Sequence, residues 1–150
     1  MQSIALQLES VFDQYLPALR NVPENEMLYK SSPSKWSKKE IVGHTIDSAQ
    51  NNIRRFIVAQ YEDTPAIGYN QDEWVIITGY QDYDLPDLIN LWYLLNKHIV
   101  VILKNTSPQT AQRKCQTNDV HTLEWLAQDY IKHLRHHLHQ VLELEPIAYP

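Results

Sequence analysis

Four long stretches of this sequence carry apolar residues at alternating steps of three and four, the spacing that gathers side chains on one face of an α-helix. We predict helices over about 2–20, 37–61, 84–103 and 122–145. The sequence has only 3 glycines, which favours long helices over a turn-rich β architecture. These features predict one all-α domain, 1–150, folded as a four-helix bundle with long loops between helices 2 and 3 and between helices 3 and 4.

Capping residues mark where three of these helices begin. Ser37 and Glu40 have the spacing of a capping box, in which each side chain accepts a hydrogen bond from the backbone N–H of the other. Asp84 precedes the third helix and Thr122 precedes the fourth, and both residue types favour the N-cap position. Between the second and third helices we expect an irregular segment with one short helical turn around 72–76.

Charge and composition argue against several classes of partner. The formal net charge is -5, and no basic stripe is present, so nucleic-acid binding is not expected. The longest apolar stretch, 88–103, is too short and too polar to span a bilayer. The only cysteine, Cys115, excludes an internal disulfide, and 1–4 lacks the pattern of a signal peptide. We expect a soluble cytoplasmic protein without a nucleic-acid or membrane partner.

Histidine is the unusual component of the composition, since 7 occur and several fall in the predicted last helix. His133 and His137 are four residues apart, so their side chains lie on one helical face and could chelate one ion. His137 also occupies an apolar seam in which leucine would be expected. A pair at this spacing arises by chance in a histidine-rich helix as well. We expect His136 and His139 to face solvent or a partner subunit.

His44 lies on the polar side of the predicted second helix, away from its apolar seam. It shares that side with Ser48, Asn51 and Arg55. The stripe is either a solvated face or the lining of a cleft, in which case these three residues are candidates to bind a polar substrate. Periodicity alone favours the solvated face.

Three segments resemble the DinB/YfiT-like superfamily. The run 36–44, WSKKEIVGH, is similar to the family signature in which a Trp, a capping Ser and a Glu precede the first metal-binding histidine. The run 129–138, DYIKHLRHHL, resembles the last helix of the family, whose histidine pair supplies the other two ligands. The run 62–67, followed by Tyr69 and Trp74, resembles the YfiT-like branch. The three segments occur in the family order and span most of the chain.

The resemblance implies an antiparallel four-helix bundle, often a homodimer, with a divalent metal held by His44, His133 and His137. Zinc or nickel is the expected metal, with iron and manganese as alternatives. Three protein ligands leave an open position for water, the arrangement of catalytic sites. The first functional hypothesis is therefore metal-dependent hydrolysis of an amide, ester or similar bond in a small molecule. Asp129 and Asp47 are candidate proton shuttles or acceptors for the histidines, and a solvated carboxylate is the alternative for both.

Two other functions remain open at this point. Other branches of the superfamily use a similar metal to activate a thiol such as bacillithiol, mycothiol or glutathione, and Arg54 or Arg55 could then hold the carboxylates of the thiol. A metal-binding bundle without turnover is the third hypothesis. In all three cases the ligating imidazoles must be neutral, so we expect metal affinity to fall as the pH drops through about 6.

Overall fold

The computed structural model describes residues 1–149 and confirms a four-helix bundle. The long helices are α1, Gln2–Arg20, α3, Lys38–Val58, α5, Leu85–Asn105, and α6, Leu123–Val141. Two shorter helices, α2, Glu24–Leu28, and α4, Gln71–Thr78, lie in the connections, together with 3-10 turns at Tyr80–Asp82 and Thr110–Gln112. The strands β1, Lys114–Gln116, and β2, Val120–Thr122, pair antiparallel with Cys115 opposite His121.

The predicted caps are present where the helices begin. The Ser37 hydroxyl accepts from the backbone N–H of Glu40 at 3.1 Å, and a Glu40 carboxylate oxygen accepts from the N–H of Ser37 at 2.7 Å. The side chains of Asp84 and Thr122 each accept from the backbone N–H three residues later and so cap α5 and α6. Helix α6 ends at Val141, four residues before the predicted end, because Glu143 adopts a left-handed φ of 53° that stops the helix.

The connections contain more secondary structure than the sequence predicted. The segment around 72–76 is part of an eight-residue helix, α4. The first connection contains α2, in a region where we predicted no helix. The predicted polar loop 104–121 contains the β1–β2 hairpin. Ile67 N–H donates to the carbonyl of Gln116 at 2.8 Å, so the hairpin is tied to the segment that follows α3. This pairing holds two separate connections together at one end of the bundle.

The long helices pack in a cyclic order that differs from their order in the sequence. Helix α1 packs against α5 and α6, and α3 packs against the same two helices. Helix α3 therefore lies between α5 and α6, its two principal neighbours, and this arrangement positions its side chains for the site described below. The core between the four long helices contains fully buried side chains from each of them, including Leu8, Ile46, Trp92 and Leu134.

None of the helices in residues 1–149 combines the length and apolar character needed to cross a membrane.

Gly43 permits close contact between α3 and the segment that follows α4. A Cβ at this position would overlap ring atoms of the buried Tyr80, whereas a Cβ at Gly68 would meet no atom within 4 Å. We expect Gly43→Ala to lower the free energy of unfolding by about 1–3 kcal/mol, the usual cost of overpacking a core. Urea unfolding of both alanine variants checks this, and equal midpoints for Gly43→Ala and Gly68→Ala would contradict it.

Candidate metal centre

Three histidine side chains meet where α3 packs against α6. Nε2 of His133 lies 3.0 Å from Nε2 of His44 and 3.0 Å from Nε2 of His137. The three rings are steeply inclined to one another, with interplanar angles of 75°, 79° and 80°. In this geometry a nitrogen of each ring is directed into one small volume, which is what a shared cation requires.

Helix α3 brings His44 into this cluster although its periodicity favoured a solvated face. The side chain of His44 is only 1% exposed, and Ser48 and Asn51 on the same stripe are 5% and 4% exposed. The stripe is buried because α6 packs over it, while α5 covers another side of α3. The Trp36 ring, just before the N-cap, lies 5.0 Å from the His44 ring and adds an aromatic wall. The polar stripe is therefore interior, and the solvated interpretation was wrong.

A chain of hydrogen bonds orients His137. Nδ1 of His136 donates to the carbonyl of Ile147 at 2.6 Å, and Nε2 of His136 accepts from the Gln140 amide at 3.0 Å. The amide oxygen of Gln140 then accepts from Nδ1 of His137 at 2.8 Å. With its hydrogen on Nδ1, His137 presents a bare Nε2 to the cluster, the tautomer that a metal ligand needs.

Electrostatics keep the cluster neutral. Burial lowers the pKa of His44 to about 3, and the neighbouring His137 acts in the same direction. Burial also lowers the pKa of His133 to about 2, with His137 and His44 contributing. The pKa of His137 is lowered by burial as well. The imidazoles therefore hold no competing proton near neutral pH, which is the state that a metal ligand requires.

The donor set fits a divalent ion. Metal–nitrogen bonds of about 2.0–2.1 Å in tetrahedral geometry separate the nitrogens by about 3.3 Å, close to the two 3.0 Å separations here. Nε2 of His133 carries at most one hydrogen but lies beside two other ring nitrogens, so it cannot donate a separate hydrogen bond to each of them. One cation can instead interact with the lone pairs of all three nitrogens. Nδ1 of His133 lies 3.4 Å from the Ser48 hydroxyl, which adds an outer contact. Nδ1 of His44 is buried without a polar partner.

A cavity of about 740 Å³ adjoins the cluster, with His133 in its wall. Of the predicted substrate-binding residues, Ser48 and Arg55 line it. Asn51 is not among its lining residues, because its amide is buried and donates to the carbonyl of Asp47 at 2.9 Å. Asn52, one position later on α3, lines the cavity instead. The sequence interpretation missed it, although it continues the helical spacing from His44 through Ser48.

The two candidate carboxylates are in different surroundings. Asp129 lines the cavity together with His133, and its carboxylate accepts from the Tyr149 hydroxyl at 2.8 Å. Asp47 is 1% exposed, and its hydrogen-bond partner is the Tyr80 hydroxyl at 2.5 Å. No histidine in residues 1–149 lies within hydrogen-bond distance of Asp47. The structure thus brings Asp129, but not Asp47, to the cavity beside the metal centre.

Asp47 still has a measurable consequence, because burial raises its pKa to about 6 while the hydrogen bond from Tyr80 opposes the shift. A carboxyl whose pKa is higher in the folded protein contributes stability below its ordinary value of 3.8, and that contribution is lost as the pH rises through about 6. We expect Asp47→Asn to remove this loss, so that stability falls less between about pH 4 and 6 than in wild type.

Chemical denaturation across that pH range tests the effect of Asp47. Wild type and variant keep the same histidines, so the difference between their profiles isolates the carboxyl group. The exposed Asp82→Asn serves as the control. Parallel profiles for wild type and Asp47→Asn would show that folding does not raise the pKa of Asp47.

The remaining histidines of α6 hold the segment after the helix. Nδ1 of His139 donates to the carbonyl of Glu145 at 2.6 Å, and the Tyr15 hydroxyl lies 2.8 Å from its Nε2. His136 binds Ile147 as described, so both histidines contact the segment after α6, whereas the sequence predicted that they would face solvent or a partner subunit. Together with the bond to Asp129, these contacts place Tyr149 in the cavity wall, 5.2 Å from the His133 ring. No sequence pattern pointed to Tyr149, because an irregular segment carries no periodicity.

Comparison with known proteins agrees with this geometry. The family model of the DinB superfamily matches residues 7–141. YfiT of Bacillus subtilis (strain 168), described as a probable metal-dependent hydrolase, is 27% identical over 113 residues, which are 73% of this chain. The matched region spans 64% of the length of YfiT, slightly less than two thirds.

Two solved structures share the fold. That of YfiT matches with a TM-score of 0.83 at 23% identity, covering 94% of this chain and 83% of YfiT. The mycothiol-dependent maleylpyruvate isomerase matches with a TM-score of 0.72 at 15% identity, covering 97% of this chain and 61% of the isomerase. At these identities the structural matches establish the architecture alone. Because the family match spans nearly the whole bundle, this chain belongs to the DinB superfamily and has the YfiT-like four-helix fold.

Proposed function

We propose that this chain is a metal-dependent hydrolase of small molecules, with His44, His133 and His137 as the ligands of a divalent ion. The observation that carries the proposal is the convergence of three neutral imidazoles beside a cavity large enough for a substrate. The description of YfiT as a probable metal-dependent hydrolase supports the same class of reaction.

The donor set bears on the choice of metal. Three imidazole nitrogens suit zinc or nickel, whereas manganese prefers oxygen donors and non-haem iron sites combine histidines with a carboxylate. We therefore propose zinc or nickel as the native ion, ahead of iron and manganese.

The residues around the site have separable roles in hydrolysis. A divalent ion held by the three histidines would supply Lewis acidity, which activates water near neutral pH and polarises a scissile carbonyl. Asp129, in the cavity wall beside His133, is the group we assign to accept and return the proton. Tyr149 holds one oxygen of that carboxylate and thereby orients it. Gln140 and Ser48 orient two of the ligand rings through their Nδ1 atoms.

Thiol transfer is the second candidate, and the fold shared with a mycothiol-dependent isomerase favours it over other enzyme classes. The ion held by the three histidines would then supply the positive charge that favours the thiolate form of a thiol co-substrate. The two candidates differ in whether a thiol co-substrate is required. A bundle that binds metal without turnover is the remaining alternative.

Substrate panels separate these functions. We expect zinc- or nickel-loaded protein to hydrolyse members of an amide and ester panel without added thiol. The same preparation is assayed with low-molecular-weight thiols and electrophiles, and metal-free protein and the His137→Ala variant are the controls. Turnover only in the presence of a thiol would favour the transferase, and no turnover in any panel would favour the non-catalytic bundle.

A further inference from the structure

Arg55 carries a positive charge that the surrounding residues do not neutralise by an ion pair. Its Nε donates to the carbonyl of Ile67 at 3.0 Å and its Nη1 donates to the Asn52 amide oxygen at 3.4 Å. Both acceptors are neutral. A guanidinium has five N–H groups, so several donors remain for another partner.

The charges of the cavity make this arrangement unusual. Within residues 1–149, no Asp or Glu oxygen lies within 4.0 Å of the Arg55 guanidinium. Burial lowers the pKa of Arg55 although the charge of Asp129 acts in the opposite direction. Partly buried charges usually have a counter-ion. The natural source of the missing negative charge is a ligand, since Arg55 lines the cavity that adjoins the metal centre.

The helical spacing places the guanidinium and the metal centre at two positions along one cavity. His44 and Arg55 are eleven residues apart on α3, about 16 Å along the axis between their Cα atoms. Ser48 and Asn52, which also line the cavity, are found between them. A molecule that engages both positions therefore carries two polar groups separated by several bonds.

We propose that Arg55 forms a carboxylate subsite, so that the substrate carries a carboxylate several bonds from the group that reacts at the metal centre. This inference rests on the proposed metal-dependent function and specifies its substrate class. The planar fork of arginine matches a carboxylate through two parallel hydrogen bonds. The Tyr69 ring, 6.0 Å from the guanidinium carbon, provides one face of the subsite.

The balance of charge favours a carboxylate over a phosphate. Among the lining residues that the structure describes, Arg55 is the one lysine or arginine, whereas Asp119 and Asp129 supply two carboxylates. One positive charge suits a monoanion. A dianionic phosphate would gain the same guanidinium but would meet the repulsion of both carboxylates.

Bifunctional probes test the subsite. Linear monohydroxamates of dicarboxylic acids place a metal-chelating group at one end and a carboxylate at the other, and the matched carboxamides lack only the charge. Calorimetry on zinc-loaded protein gives Kd for each pair over a series of chain lengths. The test variant is Arg55→Gln, Arg55→Lys keeps the charge without the fork, and Arg135→Gln, which removes an exposed arginine of α6, is the control.

We expect wild type and Arg135→Gln to bind the carboxylate about 10- to 100-fold more tightly than the carboxamide at the best chain length. That ratio should approach one in Arg55→Gln and be intermediate in Arg55→Lys. A ratio near one in wild type, or an unchanged ratio in Arg55→Gln, would overturn the proposal. Tighter binding of a matched phosphonate would overturn the choice of a carboxylate.

The same series distinguishes failure of the subsite from failure of the metal centre. If no hydroxamate binds more tightly than its parent acid, the proposed metal-dependent function is wrong. The subsite is then tested by NMR titration of metal-free protein with the dicarboxylates and their diamides. Preferential binding of the acids that is lost in Arg55→Gln supports the subsite. Equal chemical-shift changes with acids and diamides refute it. Thermal unfolding of each variant shows whether loss of the bond to Ile67 alters the fold.

Discussion

Replacing His137 by alanine is expected to weaken divalent metal binding by about 100-fold or more. Removing groups that only orient a ligand typically costs 10- to 100-fold in affinity, so removal of a ligand should cost at least as much. The physical reason is specific to this cluster, because the proton of His137 is held on Nδ1 by Gln140 and its Nε2 is free for the metal. Two imidazoles would remain, one short of the proposed set.

Metal analysis after chelator treatment and reloading measures this effect, together with competition against a chromophoric chelator. Wild type should retain one zinc or nickel per chain, and His98→Ala, which removes an exposed histidine of α5, should do the same. Circular dichroism establishes that the His137→Ala variant is folded. Equal trace amounts of metal in wild type and His137→Ala would rule out the three-histidine site.

Replacing Asp129 by asparagine is expected to lower kcat by about 10²- to 10⁴-fold while the metal content stays unchanged. That range is the usual contribution of a positioned general acid or base. Asparagine keeps the shape of the side chain and can still accept from the Tyr149 hydroxyl, but it cannot take a proton. Asp129 lies in the cavity wall and does not belong to the metal-binding cluster, so metal binding should not depend on it.

Steady-state kinetics with the best substrate from the panels tests this role, with kcat measured separately from KM. Tyr149→Phe keeps the carboxylate and removes the hydroxyl that orients it, so its loss of kcat should be smaller. Wild-type kcat in Asp129→Asn would assign the proton transfer to another group.

The sequence correctly predicted those features that are formed by residues close together in the chain. The capping box at Ser37 and Glu40 is present, because both hydrogen bonds are made within one turn. The pairing of His133 with His137 follows from the pitch of a single helix in the same manner. The main difference between the predicted and observed α6 is where the helix ends, because Glu143 adopts a left-handed conformation.

Helical periodicity did not predict which side chains are buried when a helix packs against more than one other helix. Helix α3 has buried residues on nearly every side, so His44 is interior although it lies opposite the apolar seam. Such a helix cannot be divided into an inner and an outer face from its sequence. Part of the cavity wall was missed for a related reason, since Tyr149 and the hairpin reach it from segments that are too short or too irregular to leave a pattern.

The cyclic order of the helices has a thermodynamic consequence for ion binding. His44 and His133 are 89 residues apart in sequence, and they meet only because α3 and α6 are neighbours in the folded bundle. An ion held by both is therefore a reversible cross-link that closes a long loop of the chain, and little of such a site exists in the unfolded state. Occupancy and unfolding are linked, so each tenfold rise in free ion above Kd adds about 1.4 kcal/mol to the stability of the whole bundle.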